Sequence, residues 1–374
     1  MLNSFSSFIP LTEPNLAGNE KIYLCSCIDD NWVSSAGSYV EEFEKQIALV
    51  AGTKYAVACC NGTVAIKLAL LAANVKRDQR VIVPDWTFVA TANAIVDIGA
   101  VPVFVDVEPD TYTLCGDSLK SALHNYDNIG AIIGVHPLGY SCDIGKLKEL
   151  AKPMSIPVIE DAAGAIGAKY GHLSVGCIGD FGCFSFNGNK VITAGAGGAI
   201  VSNNSEGISW IRHYISQARV SSDYRHDEIG FNYRMSNLNA AVGVAQVERL
   251  QEILGCKAKI ALRYDGVLNK FTNGPIKKMP QPSWGIGNNW LYSVLADSEA
   301  VADSLITHLE QENIEARKFW RNLTSLTPFR KYESEESRVA ESLSGRVVSL
   351  PSSSGISTSE LDRVVDCLDT FLSK

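Results

Sequence analysis

The stretch that decides how this chain is read is Cys183-Phe184-Ser185-Phe186-Asn187-Gly188-Asn189-Lys190-Val191-Ile192-Thr193-Ala194-Gly195-Ala196-Gly197-Gly198. Its opening residues, Cys183 to Phe186, suit a strand. A lysine follows in a small-residue setting, and a glycine run then leads into a second strand, Ala199-Ile200-Val201. Glycines lack a Cβ and reach backbone conformations closed to other residues, so this run suits a tight turn near Lys190. It is not a nucleotide loop: Gly195-x-Gly197-Gly198 lacks the third glycine of dinucleotide spacing, and no Gly-Lys-Ser/Thr follows. Upstream, the apolar run Ile156-Pro157-Val158-Ile159 ends in Glu160-Asp161. Two adjacent acids behind such a run are not expected to face the core together, so one of them is expected to serve a site.

Outward from this stretch, strands and helices alternate. Residues 55–60, 80–84, 101–106, 131–135 and 157–160 read as strands; 64–73, 88–98 and 144–152 read as helices. The apolar runs are near-continuous, as strands buried on both faces require. The expected fold is α/β with a mostly parallel central sheet covered on both sides. After about residue 250 the texture becomes α+β. Residues 236–254 read as one long amphipathic helix and 273–289 as a connection rich in Gly, Pro and Asn. Residues 290–295 read as a strand, and 300–312 and 359–373 as helices. A large domain over 13–250 and a small C-terminal domain over 251–374, joined by residues 1–12, are expected.

Composition narrows the function. The 374 residues are 46% apolar and 20% charged, with a formal net charge of -8. That balance disfavours nucleic acid as the main partner, because neutralising phosphates needs a basic surface. The start, Met1-Leu2-Asn3-Ser4-Phe5, has no basic region followed by an apolar core. The most apolar stretch, around 81–105, is interrupted by Pro84, Asp85, Asn93, Asp97 and Pro102 and is not expected to span a bilayer. A cytoplasmic protein with no membrane partner is expected. The ten cysteines form no CxxC pair and the six histidines are unclustered, so reduced thiols and no metal site are expected.

A strand-end aspartate and a lysine in a small-residue setting are what pyridoxal phosphate chemistry requires. The lysine bonds to the cofactor's aldehyde, and the aspartate keeps the pyridine nitrogen protonated so that the ring accepts electrons. Asn61-Gly62-Thr63 lies where a strand hands over to a helix. Such a helix start binds a phosphate, or is simply capped by Asn61 or Thr63. Trp86 and Phe88 follow the strand 80–84 as candidates for stacking on a flat ring, or as core filling. Ser185 either holds a phosphate or turns its hydroxyl to the backbone.

With these motifs in order, the sequence resembles the sugar aminotransferases of the DegT/DnrJ/EryC1/StrS group over nearly its whole length. The carriers are Val158-Ile159-Glu160-Asp161-Ala162-Ala163, Gly179-Asp180, Phe184 to Lys190, and Gly230-Phe231-Asn232-Tyr233-Arg234-Met235. Asn61-Gly62-Thr63 and Thr87-Phe88-Val89-Ala90-Thr91 also match. The resemblance implies a fold-type-I, aspartate-aminotransferase-like architecture with pyridoxal 5'-phosphate on Lys190 and Asp161 at the pyridine nitrogen. It implies Phe88 stacked on the ring, and Gly62, Thr63 and Ser185 on the phosphate. Asn232 would reach the phosphate of the neighbouring subunit, hence a homodimer with shared active sites.

The likeness is strongest to the perosamine-synthase and legionaminic-acid-pathway types, the latter through Gly18-Asn19-Glu20-Lys21, Trp32-Val33-Ser34-Ser35 and His226 to Gly230. It implies transfer of an amino group from L-glutamate to C4 of a nucleotide-linked 4-keto-6-deoxyhexose for bacterial surface glycans such as O-antigen. Trp32, Ser34, Arg317 and Trp320 would contact the sugar. Amination at C3, dehydration, and a non-catalytic sensor on the same fold are the competing readings. The chain departs from the family at Gly164, where a polar side chain usually meets the cofactor's ring hydroxyl, and at Ala196, where many relatives carry Glu.

Overall fold

The computed structural model describes residues 7–374. Its central sheet has seven strands in the order Tyr55–Cys59, Gly198–Ser202, Phe181–Ser185, Val158–Asp161, Ile129–Val135, Arg80–Pro84 and Val101–Val105. The five from Phe181–Ser185 onward are mutually parallel, and Gly198–Ser202 runs against both of its neighbours. The near-continuous apolar runs are explained by cover on both faces. Val57, Ile133, Ile159 and Phe181 face one cluster with Ile66 and Ile95. Ala58, Phe184, Phe186 and Val201 face another with Phe43 and Ile47.

Beyond this sheet, Ile276–Lys278, Ser293–Ala296, Val347–Ser349 and Arg317–Lys318 form an antiparallel sheet in that order. Val294 and Val348 pack there against Leu305 and Leu309 of helix Glu299–Gln311 and Val364 and Leu368 of helix Thr358–Leu372. Ile9 joins this cluster and bridges Ile314 in parallel. Of the N-terminal stretch expected to join the small domain, residues 1–6 lie outside the described residues.

Three expectations change. The single helix over 236–254 is two, Asn237–Glu248 and Leu250–Leu268, broken at Arg249, whose φ/ψ of -103°/7° leaves the helical well. The Arg249 guanidinium bonds Asn15 and Glu252 at that break, a tertiary tie that periodicity does not register. The connection 273–289 contains two short strands, Ile276–Lys278 and Gly285–Ile286, too brief to alternate visibly. The strand placed at 290–295 begins only at Ser293, which leaves Trp290 free to turn toward the central sheet. Among the described residues no helix is long and apolar enough to cross a membrane.

Candidate active site

A cavity of about 340 Å³ opens beyond the carboxyl ends of the parallel strands, where open α/β sheets hold ligands. It is lined from the sheet side by Gly62, Thr63, Thr91, Asp161, Ser185 and Lys190, and from the other side by Phe88, Trp290, Phe319 and Trp320. Residues expected separately from the sequence thus meet in one place.

Gly62 begins helix Gly62–Ala72, and the Asn61 side chain caps it by accepting from the Val64 N–H at 2.9 Å. The cap and the phosphate reading coexist. Among the described residues, the N–H groups of Gly62 and Thr63 and the hydroxyls of Thr63 and Ser185 have no partner. A Cβ on Gly62 would stand 2.7 Å from the Ser185 Cβ, so glycine is what lets the helix start lie against that serine. A Cβ on Gly198 would collide with the Asn61 backbone. The end of the glycine run therefore serves the approach of strand to helix start. Free N–H groups at an 11-residue helix's positive end, with two hydroxyls, form a cradle that fits a phosphate.

The two adjacent acids are both buried, but they face opposite ways. Asp161 faces the cavity, with Thr91 Oγ1 donating to its Oδ2 at 2.7 Å and the Ala163 N–H to its Oδ1 at 3.1 Å. Glu160 points the other way and is fully enclosed. It accepts from the N–H groups of Gly176 (2.7 Å), Ile178 (2.7 Å) and Gly179 (2.5 Å), and pairs with His136 Nε2 at 3.0 Å. Those bonds replace the water the carboxylate loses. His136 Nδ1 accepts from the Cys142 N–H at 3.0 Å, which assigns its proton to Nε2.

Lys190 follows a turn closed by its own N–H to Asn187 O at 3.0 Å. Its Nζ lies 3.8 Å from the Trp290 ring centre and has no hydrogen-bond partner among the described residues. Burial pushes its ammonium down to about 8, with the Asp161 carboxylate opposing. Phe88, 55% exposed, stands at the cavity with Trp320 at 6.5 Å, whereas Trp86 is core filling with its indole N–H on Trp320 O. At Gly164 the departure has a structural counterpart: an added Cβ would overlap the Trp290 ring. Ala196 is exposed and touches nothing that explains it.

Four candidates lie elsewhere in this chain. Trp32 is exposed and lines a second cavity, with Arg212, Arg234 and Asn237. Ser34 adjoins it, its carbonyl accepting from the Asn237 N–H. Arg317 is not at the cavity: its guanidinium pairs with Glu315, and it is Phe319 and Trp320, two and three residues on, that reach the lining. Asn232 is exposed on a segment anchored by the Cys60 N–H on Tyr233 O at 2.8 Å. Sequence reading missed Thr91, His136, Trp290 and Phe319. Thr91 lay within a matched motif and Phe319 within the segment from Arg317 to Arg321 expected to meet the sugar, whereas His136 and Trp290 carry no local signal. Among the described residues no group of three or more His, Cys, Asp or Glu gathers to hold a metal.

A sequence model of the DegT/DnrJ/EryC1/StrS aminotransferase family matches residues 14–369. EpsN of Bacillus subtilis (strain 168), named for a pyridoxal phosphate-dependent aminotransferase, is 38% identical, with 96% of this chain and 95% of that protein covered. The GDP-perosamine synthase of Vibrio cholerae is 37% identical over 97% of this chain and 99% of its own. Among solved structures, a DegT DnrJ EryC1 StrS aminotransferase from Brucella abortus superposes with a TM-score of 0.88 at 27% identity, covering 95% and 96% of the two chains. The cradle, the strand-end carboxylate and the buried amine fit pyridoxal phosphate, and the chain is a pyridoxal phosphate-dependent member of the DegT/DnrJ/EryC1/StrS aminotransferase family.

Proposed function

We propose that this enzyme moves an amino group from L-glutamate to C4 of a nucleotide-linked 4-keto-6-deoxyhexose, in the cytoplasm, for a bacterial surface glycan. The observation that carries this reading is the near full-length likeness to GDP-perosamine synthases of Vibrio cholerae, Escherichia coli O157:H7 and Caulobacter vibrioides, at 37%, 35% and 35% identity. The cavity's apolar wall of Phe88, Phe319 and Trp320 suits a sugar ring face as well as a flat cofactor.

In this reading the amine of Lys190 holds the cofactor covalently. The N–H groups of Gly62 and Thr63, with the Thr63 and Ser185 hydroxyls, bind its phosphate. When bound, the cofactor supplies an electron sink for the carbon that loses its proton. Asp161, oriented by Thr91 and the Ala163 N–H, keeps the pyridine nitrogen protonated. Lys190, once released, would take the proton from the donor carbon and return it at the carbon that had been the cofactor's aldehyde, across the nitrogen between them. An amine whose pKa is near 8 is partly neutral at physiological pH and so able to accept one. Phe88 covers the ring face. Asn232 serves the neighbouring subunit's phosphate, which makes the working unit a homodimer. The exposed apolar side chains Trp32, Val33, Val220, Tyr224 and Ile229 are in keeping with such a contact. Trp32, Ser34 and Arg317 would then meet sugar or nucleotide only across that contact, whereas Trp320 does so within one chain. A division into units 13–250 and 251–374, with 1–12 joined to the second, belongs to the same reading, and the separate hydrophobic cluster around Val294 and Val348 supports it.

The test incubates the purified enzyme with L-glutamate and GDP-, UDP- or dTDP-linked 4-keto-6-deoxyhexoses and reads the product by NMR. A new amine on C4 with one of them is the expected result. An amine on C3, or glutamate consumption with none of the sugars accepted, would overturn the assignment.

A further inference from the structure

Trp290 comes from outside the central sheet, yet the Lys190 amine sits over its ring, 3.8 Å from the ring centre. Four contacts fix it there. Its indole N–H donates to Asn189 O at 2.6 Å, one residue before the lysine. Its backbone N–H donates to Asn288 Oδ1 at 2.9 Å, and the same Asn288 donates from Nδ2 to the carbonyls of Gly164 and Ile166, both at 2.9 Å. Its carbonyl accepts from Lys257 Nζ at 3.0 Å, a buried lysine that also bonds Ser352 O at 2.7 Å. The ring itself lies so close over Gly164 that any Cβ at that position would displace it.

We propose that Trp290 is the positioning residue for the Lys190 amine, and that the bare backbone at Gly164 is the space its indole needs to take that place. This rests on Lys190 being the reactive amine, as proposed above, but not on which sugar is aminated. The indole does two things that oppose each other. Its π face attracts the ammonium form. Its bulk keeps water off the nitrogen, which favours the neutral form. With no hydrogen-bond partner among the described residues, the amine is placed by this ring face, with the Asp161 carboxylate as the charge acting on it. A side chain that only filled the core would act by excluding water alone, and leucine and phenylalanine in its place would then give the same midpoint.

The test uses the full chain, freed of cofactor by dialysis against hydroxylamine. It follows acylation of Lys190 against pH by peptide mass spectrometry, with circular dichroism to establish folding. The wild-type midpoint is expected near pH 8. Trp290→Leu keeps an apolar cover but removes the π face, and lowers the midpoint by about half a unit to one unit. Trp290→Phe restores a ring and recovers most of that shift. Gly164→Ala pushes the indole aside and admits water, so the midpoint rises toward lysine's ordinary value. In the Trp290→Leu background the same alanine has a smaller effect, because the two residues share one contact. If Trp290→Leu does not fold, Gly164→Ala and Trp290→Phe still decide the matter. Folded variants that all share the wild-type midpoint would overturn the proposal. Failure of Lys190 as the cofactor's attachment point would show separately, as cofactor recovered on another residue after reduction of the holoenzyme.

Discussion

The sheet side of the cavity and the side facing it are built by different rules. On the sheet side, Asp161, Ser185 and the N–H groups of Gly62 and Thr63 sit at the end of a parallel strand or the start of a helix, and Lys190 follows the turn after one of those strands. Backbone geometry places these groups, and short patterns of residues encode them. The facing side, Trp290, Phe319 and Trp320, is aromatic, and its members come from segments that are not helical. Their positions follow from how the C-terminal residues dock, through ties such as Asn288 to Gly164 and Trp86 to Trp320. The chemistry is therefore assigned to the sheet side, and fit and water exclusion to the aromatic side.

That division can be broken by substitution. Lys190→Ala should remove amine transfer by about a thousandfold or more, with the folded state retained, measured as turnover of glutamate. Asp161→Asn keeps the shape and loses the charge, and should lower turnover by about a hundredfold. On the aromatic side Phe88→Ala should weaken cofactor retention by about fivefold, in line with an aromatic contact of about 1 kcal/mol, while turnover at saturating cofactor changes little. Equal damage from Phe88→Ala and Lys190→Ala would erase the distinction.

A smaller effect concerns pH. The Lys190 amine is pushed down to about 8 from the ordinary 10.5. Between those values the unfolded chain binds a proton that the folded, cofactor-free chain has released. Stability should therefore rise as pH increases from about 8 toward 10.5, by at most roughly 1.4 kcal/mol per pH unit. Below about 8 both states carry the proton and this contribution is flat. Lys190→Met should lose that part of the slope when melting temperatures are followed across the window.

What could be read from the residues alone follows the same line. Asp161, Lys190 and the Asn61-Gly62-Thr63 helix start could be picked out because local backbone conformation places them, and the structure brings them to one cavity. Glu160 could not: its burial is explained by a loop sixteen to nineteen residues away that turns the N–H groups of Gly176, Ile178 and Gly179 onto one carboxylate. Trp290 was read as the first residue of a strand because Trp290-Leu291-Tyr292 is a buried apolar run like the true strands, and periodicity does not separate the two. The break at Arg249 was hidden because the apolar pattern continues through it while the backbone does not. Arg317 was expected to contact the sugar, but its guanidinium pairs with Glu315, two residues away.

The central claim is that the amine at position 190 is the one joined to the cofactor. Borohydride reduction of the holoenzyme, followed by digestion and peptide mass spectrometry, tests it directly. The account predicts the reduced cofactor's mass on the peptide containing Lys190. Recovery of that mass on the buried Lys257, or on any other residue, would contradict it.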